Sequence, residues 1–127
     1  MTAVLTFTSP PPGLAPLVDF ILDDVNGAAG LYALHAATDP SIRLYVLDAA
    51  VYLPWYSPEI TDEQAAGLGI TAAEDAMVLV VTNASETGTT TNLMAPIVVN
   101  SRTGVCAQLI LEGQDWPIRA ELTARSA

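Results

Sequence analysis

Lysine is missing from this 127-residue chain. Its positive charge rests on four arginines, Arg43, Arg102, Arg119 and Arg125, against fourteen carboxylates, for a formal net charge of −10. Holding several phosphates takes a basic patch, so this balance argues against direct nucleic-acid binding and favours a basic protein partner. Cysteine occurs once, at Cys106, and histidine once, at His35. An internal disulfide and a cysteine-rich metal site are thereby excluded. No apolar run approaches the roughly 20 residues of a membrane-spanning helix. The opening Met-Thr-Ala-Val-Leu-Thr-Phe lacks the positive n-region and the length of a secretory signal. A cytoplasmic protein is expected, which makes the sequon Asn83-Ala84-Ser85 accidental. Hydrophobic residues reach 51% and charged ones only 14%, far from the composition of a disordered chain. The length suits one domain, residues 1–127, with a core of its own.

What is present is a series of short apolar runs parted by turn residues. Residues 3–8 read as a strand running into Ser9-Pro10-Pro11-Pro12-Gly13, an extended connector without ladder donors. Residues 17–22 and 30–35 are strand candidates expected to pair across a turn that holds Asn26-Gly27. In 42–47, Ile42, Leu44 and Val46 share one face and Arg43 and Tyr45 the other. Val51 to Tyr56 is dense in aromatics, and Pro54 makes it an edge or irregular loop. Thr61-Asp62-Glu63-Gln64 has the form of a capping box, so one short helix is expected from about Asp62 to Ala66, ended by Gly67 and Gly69. A single turn at Thr71 to Glu74 then leads into 77–82, apolar on both faces and read as the most buried strand. Ile97-Val98-Val99 and Val105 to Leu111 flank Ser101-Arg102-Thr103-Gly104 as a hairpin, and 116–122 could close the chain as an edge strand. The expected architecture is all-β: a small closed or partly open barrel, or a sandwich, of about eight strands with one short helix.

Chemistry is sparse. A hydrolase needs a nucleophile, a base and an orienting acid, whereas His35 ends an apolar strand with no nucleophile signature beside it and reads as a satisfied or surface residue. Cys106 alternates inside Val-Cys-Ala-Gln-Leu-Ile-Leu, where a lone cysteine serves as a small buried hydrophobe. Asp23-Asp24, Asp62-Glu63 and Glu74-Asp75 are pairs without the spacing of a calcium loop, and read as turn or helix-start charge. Gly67-Leu68-Gly69 lacks the rest of a dinucleotide fingerprint. No catalytic site, cofactor or metal is expected. Two stretches remain as recognition surface. Tyr52, Pro54, Trp55 and Tyr56 would give rigid aromatic contact area, against the commoner fate of core packing. Thr89 to Asn92, followed by Pro96, mixes strand-forming threonines with a proline that a central strand does not tolerate.

The order of these features resembles the flagellar assembly factor FliW family over nearly the whole chain. The specific match is Asn92-Leu93-Met94-Ala95-Pro96-Ile97-Val98-Val99-Asn100. It is preceded in order by Leu5-Thr6-Phe7, Pro12-Gly13-Leu14, Asp39-Pro40, Val46-Leu47-Asp48, Pro54-Trp55-Tyr56, Leu68-Gly69-Ile70 and Glu74-Asp75. Ala49 stands where the family pattern has proline, and the chain begins near the family's second strand, as in a divergent, N-terminally shortened member.

The resemblance implies a β-barrel that is not an enzyme and is a monomer when free. Such a protein binds the RNA-binding regulator CsrA, relieving its repression of flagellin mRNA, and also binds flagellin. It would place partner contacts at Pro54, Trp55, Tyr56, Thr91, Asn92, Leu93 and Pro96, with Thr89 to Asn92 as an exposed edge. The other use for Asn92 and Asn100 is to satisfy backbone groups at strand ends. The alternatives to this function are a small-ligand-binding barrel or non-catalytic enzyme subunit, and a metal enzyme built on carboxylates.

Overall fold

The computed structural model describes residues 2–9, 14, 16–25, 30–39, 41–53, 56, 58–85, 88–111 and 120–121. Within them the chain forms nine strands: β1 (Thr2–Phe7), β2 (Asp19–Asp24), β3 (Leu31–Ala36), β4 (Arg43–Asp48), β5 (Ala76–Ser85), β6 (Gly88–Thr91), β7 (Ile97–Asn100), β8 (Val105–Gln108) and β9 (Ala120–Glu121). Two short helices, α1 (Ala49–Tyr52) and α2 (Asp62–Gly67), lie between β4 and β5. A 3₁₀ turn at Ala73–Asp75 leads into β5, as the sequence suggested. The strands form one sheet in the order β4-β3-β2-β1-β8-β7-β5-β6-β9, and β4 also pairs with β5. That extra pairing, from Tyr45↔Thr82 to Asp48↔Leu79, closes a seven-stranded barrel. Closure leaves none of these seven strands as a free edge, and β6 and β9 extend the sheet beyond the ring.

Period-two patterning explains the interior. On β4, Val46 points inward while Arg43 and Tyr45 are exposed, as the alternation in the sequence requires. Phe7 and Phe20 meet edge to face with ring centroids 5.2 Å apart, and Leu34, Leu79, Ile97 and Cys106 pack around them. The barrel axis is thus filled by side chains. Among the described residues the one parallel pairing, β1 with β8, brings Gly104 against β1. Gly104 has φ +83°, and a Cβ there would lie 2.5 Å from the Val4 carbonyl oxygen, so only glycine lets these backbones approach.

A second apolar layer covers the outside of β4 and β5. Leu47, Val80, Leu53, Tyr56, Leu93 and Leu111 form it. This layer explains why β5 is apolar on both faces. One expectation is corrected: the wholly buried strand is β7, which is paired on both sides with β5 and β8, while β5 surfaces toward its ends.

The aromatic stretch departs from expectation in the same way. Val51 and Tyr52 favour strand by propensity, yet they close a helical turn. Asp48 accepts from the Ala50 N–H at 3.0 Å and caps α1, and Ala49-Ala50 continue it easily. Pro54 and Trp55 lie outside the described residues, as do Asn26-Gly27 and 116–119; β2 and β3 nevertheless pair as expected.

Candidate partner interface

The Asn92–Pro96 segment shows how a strand can contain its own interruption. β6 and β7 run along the same side of β5, with Thr91 opposite Thr82 and Ile97 opposite Leu79. Two residues of β5 therefore face five residues of the other strand. The surplus folds over the barrel wall, and most of its backbone finds partners. The Asn92 N–H donates to Val81 O at 3.1 Å, and Asn92 Oδ1 accepts from the Met94 N–H at 3.1 Å. Leu93 O accepts from the Tyr56 hydroxyl. Met94 O and Pro96 O accept from the N–H groups of Leu111 and Leu109 at 2.8 and 2.9 Å, and Ala95 O accepts from the Gln108 amide at 3.0 Å. Pairing of this kind is what allows an irregular segment to be buried.

The expected exposed edge is corrected by these contacts. Thr91 and Leu93 are 1% and 0% exposed and Pro96 is fully buried, since β9 covers the far side of β6 and the second apolar layer takes Leu93. Asn92 is half-buried and acts as a backbone cap. Tyr56 is buried in the same layer, and burial raises its phenol well above the ordinary range. Asn100, also buried, donates to Leu68 O at 2.9 Å and accepts from the Arg102 N–H at 3.0 Å. Both asparagines thus serve backbone groups, the second of the two uses considered for them.

What faces outward lies elsewhere. Between α2 and the outward side of β5 and β7 runs a cleft of about 450 Å³, floored by Ile60, Ala76, Val78 and Val98 and walled by Ala65 and Ile70. A second hollow of about 270 Å³ beside Asp48, Ala49 and Tyr56 shares Pro58, Ala76 and Val78 with it. The helix that walls the cleft is firmly held. Thr61 and Gln64 form the expected reciprocal capping box at 2.9 and 3.0 Å. At its other end the Ile70 N–H reaches Ala65 O and the Gly69 N–H reaches Ala66 O, with Gly69 at φ +72°. The Asn100 bond to Leu68 O then ties α2 to β7.

Charge on this side is mostly negative. Residues 44–101 contain Asp48, Glu59, Asp62, Glu63, Glu74, Asp75 and Glu86 and no lysine or arginine. Glu59, Asp62, Glu63 and Glu74 are exposed. Arg102 meets Asp75 at 3.9 Å at the start of β5. The outward face of β1–β4 differs: exposed Val4 and Tyr45 share it with Arg43 and with His35, whose Nε2 lies 2.8 Å from Asp23 Oδ2.

The remaining reactive groups point away from covalent chemistry. Cys106 is completely buried and its thiol is pushed up to about 12 by burial, so the thiolate nucleophile is suppressed. His35 is joined to a carboxylate on an open sheet face rather than to a nucleophile. Among the described residues no three histidine, cysteine, aspartate or glutamate side chains group as metal ligands, and no helix is long and apolar enough to cross a membrane.

Comparison with known proteins agrees with this architecture. A family profile described as FliW protein matches residues 1–122. The flagellar assembly factor FliW of Clostridium kluyveri is 31% identical over 121 residues, covering 94% of this chain and 83% of that protein. Its counterpart from Symbiobacterium thermophilum is 29% identical, with 96% and 91% covered. A solved structure described as the crystal structure of the flagellar assembly factor FliW superposes with a TM-score of 0.87 at 23% identity, covering 98% of this chain and 88% of that one.

Proposed function

The chain belongs to the FliW family of flagellar assembly factors, and on that premise we propose that it works by binding proteins, not by catalysis. Its partners are the regulator CsrA, whose repression of flagellin mRNA it relieves, and flagellin itself. The observation that carries this reading, beside family membership, is the run from 44 to 101 with seven carboxylates and no lysine or arginine, of which Glu59, Asp62, Glu63 and Glu74 are exposed in and around α2. A face of that sign attracts a basic RNA-binding protein and, once bound, repels the phosphates of RNA from the complex. If flagellin and CsrA exclude one another on the factor, each lowers the apparent affinity of the other by linkage. Export of flagellin then frees the factor to take up CsrA.

The small-ligand alternative finds less support. The barrel interior is occupied by Phe7, Phe20, Leu34 and Leu79, and a ligand-binding barrel keeps that space open. Calorimetric titration of the purified chain with CsrA of the same organism tests the proposal. Saturable heats at micromolar concentration in low salt are expected, and flat heats under those conditions overturn it.

A further inference from the structure

An interaction surface can be located more closely than the reading above requires. The cleft beside α2 is apolar at its base, where Val78 and Val98 face one another across the β5–β7 register and point away from the barrel interior. Among the described residues the polar side chains lining it are those of Asp62 and Thr71. Small-ligand sites place several convergent polar groups to fix a molecule's orientation. This cleft does not, yet its walls are fixed at both ends of α2, so little ordering is needed when something enters it.

Its surroundings define what should enter. Asp62 lines it and Asp48 lines the adjoining hollow, exposed Glu59 and Glu63 are chain neighbours of lining residues, Glu74 follows close after Ala72, and Arg102 beside them is taken up by Asp75. Exposed Val4 and Tyr45 share their face with Arg43 and His35, which favours neither sign, and exposed Val51 and Ile110 line neither hollow. Among the described residues the α2 cleft joins two features: a preformed apolar hollow and a mostly negative surround. An apolar side chain would be buried in the hollow while cations on the same segment meet the carboxylates outside it. Such division between an apolar anchor and a charged rim is the usual anatomy of a specific protein interface.

We infer that the cleft between α2 and the outward face of β5 and β7 is the dock for a lysine- or arginine-bearing segment of a protein partner, anchored by an aliphatic side chain. The inference rests on the reading of the chain as a CsrA-binding factor and names the surface on which that basic partner sits.

Chemical-shift mapping on isotope-labelled protein tests it, with three titrants: CsrA, flagellin, and a short peptide of leucine and lysine as a bare chemical probe. Amide shifts caused by CsrA and by the peptide should cluster at Ile60, Ala65, Val78 and Val98. Ala65→Arg, which fills the cleft and reverses its charge, should weaken CsrA binding at least tenfold. The paired change Asp62→Asn and Glu63→Gln, which leaves the cleft open, should weaken it several-fold and flatten its salt dependence. Val4→Arg on the opposite face should change neither, and thermal unfolding verifies that each variant is folded. If CsrA binds the natural protein yet both cleft variants bind it as well as the natural protein does, the dock is wrong while the function stands. If CsrA does not bind at all, the functional reading fails, and the peptide decides the cleft alone: shifts at Ala65 and Val78 support it, and shifts only near Val4 and Tyr45 overturn it. Flagellin shifts in the cleft with CsrA shifts elsewhere overturn it too.

Discussion

Tyr56 shows how one residue can look like contact surface in the sequence and prove to be structure. Its ring fills the outer apolar layer and its hydroxyl satisfies the carbonyl of Leu93, 37 positions away. Tyr56→Phe should therefore lower stability by about 1–3 kcal/mol, the cost of leaving a buried carbonyl unpaired, measured as a shift of the urea midpoint at constant slope. Cys106 was legible from the start, because a lone cysteine alternating in a strand is a small hydrophobe wherever the strand is buried. With its thiol held near 12 in the fold against an ordinary value of 9.0, the unfolded chain ionises first. Stability contributed by the protonated thiol is complete below pH 9, falls between pH 9 and 12, and should fall less in Cys106→Ala. A thiol reagent should label the native protein only at the rate of its unfolding. Thr91, Leu93 and Pro96 were misread for an identifiable reason. Threonines followed by a proline signal an edge locally, but their burial depends on β9, Tyr56 and Leu111, and no short window of sequence shows those partners.

At the scale of elements, the sequence was most informative where structure is local. The capping box of α2, the glycine that ends it and the β7–β8 hairpin are each decided within a few residues. Thr61→Ala should cost about 1 kcal/mol through the lost cap, and thermal unfolding of the single variant checks it. Gly104→Ala should cost more than about 1 kcal/mol, because the new Cβ meets the Val4 carbonyl where neither backbone can yield; a variant as stable as the natural protein would show that β1 and β8 are not held this closely. The five-residue excursion between β6 and β7 was visible only as a contradiction, strand formers beside a proline. Its resolution needed donors from Tyr56, Gln108, Leu109 and Leu111. The short helix α1 was missed because Val51 and Tyr52 favour strand, while the cap that decides the matter sits on Asp48, before the window in question.

For the whole molecule, the arithmetic of charge was readable at once and its placement was not. A net charge of −10 says that a basic partner is attracted; only the fold puts the stretch from 44 to 101 beside a preformed cleft, with Arg43 on the other face. Attraction of that origin should weaken steeply with salt. Between about 0.01 and about 1 M the Debye length falls from roughly 30 to roughly 3 Å, so the association rate with CsrA should drop far more than the dissociation rate rises. The central claim is that a closed acidic barrel frees a message by taking hold of the basic protein bound to it. Its most direct measurement is a mobility-shift titration of a preformed complex between CsrA and flagellin mRNA leader with increasing amounts of this chain. Release of free RNA, reversed by added flagellin, is the predicted result. RNA that stays bound to CsrA at saturating protein would contradict the account.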